Sequence, residues 1–340
     1  MWSVHEARKS LMTTKQGVDA GERPLALLAM GRALLDLYSN DVGAPFQDVK
    51  SFAAYVGGCP TNISVGARRL GLPVGVLSAV GDDPAGDFVL NFLTREGIVT
   101  EFIKRKAGRR TSAVLLGIEP PDKFTTIHYR DNCADMELTI DDVMTAPIAE
   151  SRVLLITGTG LSREPSRSAT LFAAERAHAH GTKVFLDLDF RGDVWTDARS
   201  YGVTIRSALR LTDVVIGTAD EVTKAAQESE CGIEDIAASL LYVGAQALVV
   251  KRGAESTLVF LRGGERIEAA TFPVDVYNVL GAGDAFAGGL IYGYLQGWDW
   301  YRAARMGNAC GAIVVTRHGC ANFMPFEGEA LKFIEDRGGF

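Results

Sequence analysis

An α/β fold built on a mostly parallel sheet is predicted by three features of the 340-residue chain: short apolar runs alternating with helical patterns, run ends carrying Gly, Asp, Thr or Lys, and a glycine-rich turn opening a long apolar helix near the C-terminus. Leu25–Met30 reads as a buried strand ending at Gly31, and residues 61–70 repeat apolar positions at helical spacing. Residues 74–80 form the next strand. The rhythm continues through a strand at 153–156, a helix over 169–179, strands at 184–186 and 214–216, a helix over 232–243 and a strand at 247–250. In open sheets of this kind ligands gather outside the carboxyl ends of the strands, so the site is expected along that edge. Two stretches break the rhythm. Residues 36–56 and 101–131 alternate polar and apolar side chains without an intervening helix, which predicts antiparallel strands of a small projecting sheet. Residues 1–24 are polar and aperiodic and read as an extension, leaving 25–335 as the folded domain.

Composition narrows the function classes. With 47% hydrophobic and 23% charged residues the chain can bury a large core. No apolar run reaches the roughly 18 residues of a membrane span, and the N-terminus lacks the apolar segment of a signal peptide, so a cytoplasmic address without membrane partners is expected. Five widely spaced cysteines without a C-x-x-C pair argue against a disulfide framework or a zinc site. A formal charge of −7 disfavours nucleic acid as a partner.

The most informative residues are Gly281-Ala282-Gly283-Asp284, followed by the apolar run that opens the helix. Small residues let backbone N–H groups approach an anion, the helix N-terminus adds a positive dipole end, and Asp284 stands in the first turn. Phosphoryl transfer needs little else from a protein: two reactants held in line, charge stabilisation, and a group to take the hydroxyl proton. Gly281, Ala282 and Gly283 would form the anion hole and Asp284 the base; the bland alternative is an aspartate that merely caps its helix. No G-x-x-x-x-G-K-[ST] sequence is present, so no Walker-type loop holds a nucleotide.

Gly57-Gly58-Cys59-Pro60-Thr61-Asn62 before the first long helix, together with Gly281–Asp284, resembles the two signature regions of the ribokinase-like (PfkB) carbohydrate kinases. The likeness covers about residues 25–335. It implies a three-layer α/β/α domain with a small β-sheet lid, a sugar hydroxyl as phosphoryl acceptor, and ATP with Mg²⁺. It also implies that ATP lies along Lys251, Gly253, Gly283 and Asn308. The family's N-x-x-E motif, tied to magnesium and phosphate, falls on Thr218–Glu221; Glu221 is kept while Thr218 replaces the Asn. Six residues before Asp284, where many members carry an Asp of a monovalent-cation site, stands Asn278, which offers an oxygen without a charge. Potassium activation is accordingly a weak expectation. A homodimer through the lid is implied as well.

For the sugar, the resemblance points to Asp36, Gly57, Gly58 and Asn62 as substrate contacts. Residues 187–195 resemble the D-x-N-x-R-x-x-x-W pattern of kinases acting on keto-deoxy sugar acids, with Asp189 in place of Asn and Arg191 placed to pair with a carboxylate. Arg32 and the cluster Lys104, Arg105, Lys106, Arg109 and Arg110 could add positive charge, although charge runs are usually solvated faces. Trp195 and Cys59 read as packed residues. Neutral-sugar kinases of the family stay open, with Arg191 against them. A sugar-binding regulator on the same fold would be expected to lose the base or fill the turn, and this chain keeps both.

Overall fold

A computed structural model describes residues 23–120, 123–228 and 230–340. The extension expected over 1–24 lies outside these residues, apart from Arg23 and Pro24.

In chain order the elements are β1 (Leu25–Met30), β2 (Leu34–Ser39), β3 (Phe52–Gly57), α1 (Cys59–Arg69), β4 (Val74–Gly81), α2 (Pro84–Arg95), β5 (Ile103–Lys106), β6 (Ala113–Glu119), β7 (Lys123–Tyr129), α3 (Ile140–Met144) and β8 (Ser151–Thr157). There follow α4 (Ser166–Ala179), β9 (Lys183–Asp187), α5 (Ala198–Ala208), β10 (Val214–Thr218), α6 (Ala219–Ala226), α7 (Ile233–Val243), β11 (Ala247–Lys251), β12 (Ser256–Leu261), β13 (Arg266–Ala270), α8 (Ala282–Leu295), α9 (Trp300–Val315) and α10 (Glu327–Glu335).

A nine-stranded sheet runs β13-β12-β11-β10-β9-β8-β1-β4-β5. Every pairing from β5 to β11 is parallel, and β12 and β13 add an antiparallel edge. Because strand side chains alternate between faces, neighbouring residues of one strand feed different cores. Leu27, Val153 and Val249 pack with α1, α2, α8, α9 and α10, whereas Leu28, Leu154 and Leu248 pack with α3 to α7. The result is three layers, helices on both faces of the sheet. The strand order reverses at β1, where β4 lies on one side and β8 on the other, and this switch point is where an open α/β sheet leaves a crevice at its carboxyl ends.

The second sheet, β3-β2-β6-β7, closes over its own small core of Leu34, Tyr38, Val114, Leu116 and Ile118. Two of the expectations for this region need correction. The sheet is not antiparallel throughout: β2–β3 and β6–β7 are, but the central β2–β6 pair is parallel, because these strands are joined by a long crossover through α1, β4, α2 and β5. Residues 103–106, inside the stretch assigned to the small sheet, pair with β4 of the large sheet instead. Three members of the basic cluster there are tied into ion pairs, Arg105 with Asp87, Lys106 with Asp142 and Arg109 with Glu137.

Candidate active site

The anion turn forms as its glycines dictate. Gly281 caps α8 with φ +83°, a left-handed conformation that side chains rarely adopt, and a Cβ there would press on the Cys320 backbone at 3.1 Å. The Ala282 N–H donates to the Val279 carbonyl at 3.3 Å, which removes it from the expected anion hole. The first-turn amides of Gly283 and Asp284 are the donors the turn presents. Asp284 does not cap the helix: no side chain caps α8, and Asp284 Oδ2 instead accepts from Asn62 Nδ2 at 2.7 Å. α1 can bring Asn62 so close because α8 carries Gly288 at the crossing, where a Cβ would come within 3.3 Å of the Ala67 N. Burial raises the pKa of Asp284, opposed by the Asn62 hydrogen bond and by the positive charges of Arg191 and Lys251.

Beneath the turn sits the ammonium of Lys251, 3.1 Å from where a Cβ on Gly283 would lie. It stands 3.5 Å from Asp187 Oδ2, a buried oxygen without a hydrogen-bond partner. Burial pushes the Asp187 carboxyl up to about 7, against the pull of Lys251. The Lys251 pKa is raised, because the carboxylates of Asp187 and Glu221 outweigh its own burial.

The side expected to hold the sugar is built from the ends of β1, β8 and β9. Asp189, with φ +33°, is the centre of a buried charge cluster: Oδ2 accepts from Arg32 Nη2 at 2.9 Å and from the Thr159 hydroxyl at 2.6 Å, while Oδ1 lies 3.1 Å from Arg191 Nη2. Two guanidinium groups share one carboxylate, so the cluster carries a net positive charge. That pairing holds the Asp189 pKa below the ordinary carboxylate range despite burial. The Arg191 side chain remains 44% exposed and lines the cleft. Asp36, on β2, is buried opposite, and burial pushes its carboxyl up to about 7 with only partial relief from Arg32. Gly57 is required beside it, since a Cβ would fall 1.9 Å from Asp36 Oδ2.

A cleft of about 100 Å³ opens among these groups. Arg32, Asp36, Gly58, Asn62, Arg191, Gly281 and Asp284 all line it, so most of the expected sugar and catalytic residues are brought together. Asn62 Oδ1 and Arg32 Nε are buried there without a partner, and buried polar atoms rarely stay unpaired. Cys59 lines the cleft too, and burial pushes its thiol well above the usual range. Sequence reasoning missed Thr159 and His128. For His128 a signal existed, since Thr126 and His128 stand two apart on β7 and both line the cleft.

Other expected residues are engaged within the protein. Glu221 accepts from the Thr218 N–H at 2.8 Å and the Thr218 hydroxyl at 3.1 Å, and from the Phe190 N–H at 3.0 Å; Thr218 in turn accepts from the Glu221 N–H, completing a capping box for α6. Asn308 accepts from the Thr257 hydroxyl at 2.8 Å and donates to the carbonyls of Ala269 and Ala270, tying α9 to the sheet edge. Asn278 donates to the His318 carbonyl at 2.8 Å and accepts from the Leu280 N–H at 3.0 Å. Gly253 lies in the turn between β11 and β12 with open space about it. Trp195 is packed edge-on against Tyr201.

A half-buried carboxylate at the head of a glycine-capped helix, facing a positively charged cluster across a crevice, is the arrangement a phosphotransferase needs on a three-layer α/β domain. Residues 25–327 match the pfkB family carbohydrate kinase pattern, and the chain belongs to that family. It is a sugar kinase. It is 34% identical over 317 residues to a 5-dehydro-2-deoxygluconokinase of Geobacillus thermodenitrificans (strain NG80-2), covering 92% of this chain and 94% of that one. It is 32% identical to the protein of the same name from Clostridium tetani (strain Massachusetts / E88), over 93% of this chain and 94% of the relative. Among solved structures, a fructokinase with bound ATP from Xylella fastidiosa superposes with a TM-score of 0.83 at 26% identity, covering 92% of this chain and 98% of that chain. The fold is ribokinase-like, and no helix among the described residues is long and apolar enough to cross a membrane.

Proposed function

We propose that the protein transfers the γ-phosphoryl group of ATP to the 6-hydroxyl of 5-dehydro-2-deoxy-D-gluconate. The observation that carries this reading is the pairing, in one cleft, of half-buried Asp284 at the α8 turn with the exposed edge of the Arg32–Asp189–Arg191 cluster. The relatives named above support the choice of sugar acid. Asp36 accepts hydrogen bonds from sugar hydroxyls, Gly57 and Gly58 bring backbone to the sugar, Asn62 offers its free Oδ1, and Arg191 takes the carboxylate. Asp284 accepts the proton of the 6-hydroxyl as its oxygen bonds to phosphorus and the bond from phosphorus to the ADP oxygen breaks. Lys251 and the Gly283 and Asp284 amides face the negative oxygens of the transferring group. ATP extends past Gly253 toward β12. The small sheet acts as a lid that excludes water and so suppresses ATP hydrolysis.

Magnesium would neutralise phosphate charge when bound. The described residues include no group of three or more His, Cys, Asp or Glu side chains placed to hold a metal, and the Glu221 oxygens are engaged by Thr218 and Phe190. This suits an ion held mainly by phosphate oxygens and water, with the unpartnered Asp187 Oδ2 and Glu221 behind them. Both polar atoms of the Asn278 amide are engaged, so kcat is expected to be the same in sodium and potassium salts; stimulation by potassium would show that the amide yields to an ion. On β7, exposed Ile127 and Tyr129 alternate with the cleft-lining Thr126 and His128, giving the lid an apolar outer face suited to a second copy of the chain. Light scattering is expected to give twice the mass of the chain, with Tyr129→Lys returning the monomer value; a wild-type monomer contradicts this.

Asp36 makes a pH prediction. Its folded-state pKa of about 7 lies above its unfolded value, so the folded state binds the proton more tightly, and this contribution to stability is complete below the unfolded pKa and lost as pH rises through about 7. In urea unfolding, Asp36→Asn should therefore gain stability relative to wild type as pH rises from 3.8 to about 7 and keep that gain above it, while sugar turnover falls; a difference that is flat across that interval contradicts the shift. The product test is direct: with ATP and 5-dehydro-2-deoxygluconate, phosphorus NMR should show a phosphate monoester coupled to the C6 protons. A phosphate at any other position contradicts the proposal.

A further inference from the structure

We propose that His128 is a specificity-determining residue that the small sheet contributes to the sugar site: its Nε2 accepts a hydrogen bond from a substrate hydroxyl, while its Nδ1–H bridges to Asp193 and fixes β7 over the segment that carries Arg191. The inference rests on the sugar-kinase reading and adds to it a residue and a polarity.

His128 Nδ1 lies 2.7 Å from Asp193 Oδ2. An ionised carboxylate only accepts, so Nδ1 carries the hydrogen, and in the neutral ring Nε2 is left as a lone-pair acceptor. The ring is 6% exposed and lines the cleft, whereas the Asp193 side chain is 51% exposed, so the bridge is anchored from the solvent side. Burial and the positive charges of Arg32 and Arg191 push the imidazole pKa down, against the opposing pull of Asp193, which favours the neutral ring. Asp193 lies two residues beyond Arg191, and Arg191 reaches Asp189, so the bridge joins the small sheet to the segment holding the charge cluster. The polarity follows. A guanidinium attracts a carboxylate and an imidazole lone pair repels it, while the lone pair suits a hydroxyl donor. The cleft thus offers a donor end at Arg191 and an acceptor at His128, which orients a molecule that carries both a carboxylate and hydroxyls.

The two nitrogens can be separated by substitution. His128→Asn keeps an amide donor near the Nδ1 position and removes the group at Nε2; His128→Gln places an amide near Nε2 and gives up the bridge. In steady-state assays with ATP and 5-dehydro-2-deoxygluconate, His128→Asn is expected to raise the sugar KM about tenfold with the ATP KM unchanged, the loss of one hydrogen bond to substrate. His128→Gln should recover part of that loss. An unchanged sugar KM, or an increase shared equally by ATP, overturns the role of His128. A wild-type enzyme that turns over none of the sugar acid contradicts the functional reading instead, and a second measurement then decides on His128. Imidazole nitrogen-15 NMR of the wild-type chain at pH 7 should show Nδ1 protonated and Nε2 bare, with the Nε2 resonance moving when the sugar acid is added. A ring protonated at Nε2, or one that does not respond to the sugar acid, overturns the proposal.

Discussion

Asp284→Asn is expected to lower kcat by about 10²–10⁴-fold, the contribution of a positioned general base, while calorimetry shows sugar and ATP binding close to wild type. The amide keeps the shape of the carboxylate and can still bond Asn62, so what disappears is the acceptor for the hydroxyl proton. The substitution also removes a charge whose pKa is already raised by desolvation, so the variant should unfold at the same temperature as wild type or above it. The same shift sets the acid limb of the wild-type profile: Asp284 must be ionised to act, so kcat/KM should rise with pH through a value above the ordinary carboxylate range. Near-normal turnover by Asp284→Asn contradicts its role as base.

Lys251→Met is expected to lower kcat by about 10²–10³-fold, the scale of removing one donor from a preorganised anion site, with the sugar KM little changed. The ammonium lies directly under the Gly283 turn, where a Cβ would stand 3.1 Å away, and no other lysine lines the turn among the contacts of Gly281 and Gly283. Its loss leaves Asp187 without its cation, but that carboxyl already sits at about 7 and takes up a proton at neutral pH rather than remaining as a buried, unpaired charge. The fold should therefore survive the substitution, which separates a catalytic loss from unfolding. Wild-type kcat in this variant removes Lys251 from the reaction.

Much of the fold was legible because it is local. Apolar runs at strand spacing, helical periodicity and the glycines at 57, 58 and 281 each act over a few residues, and they located the sheet, the crevice and the turn. The Asn62–Asp284 contact and the Arg32–Asp189–Arg191 cluster join residues from distant elements, and their geometry came only with the tertiary structure. Asp189 illustrates the limit: the sequence shows it only as an Asp in place of the pattern's Asn, whereas in the structure its carboxylate is the anion that lets two arginines lie side by side. Motif spacing carries less than it suggests: Thr218–Glu221 fits a nucleotide motif and a capping box equally well, and the hydrogen bonds among the described residues are those of the capping box. The small sheet was legible, but its antiparallel pairing throughout and the placement of residues 103–106 in it were not: alternation identifies a strand but carries no information on which edge it will join, and a parallel partner can come from any distance along the chain.

Substrate choice is tested most directly by a coupled assay that compares kcat/KM for 5-dehydro-2-deoxygluconate, 2-keto-3-deoxygluconate, fructose and ribose at saturating ATP. A cleft with Arg191 at one end and Asp284 at the phosphoryl turn predicts the highest value for 5-dehydro-2-deoxygluconate and the lowest values for the two neutral sugars. A preference for fructose or ribose, or no phosphorylation of any of the four, would contradict it.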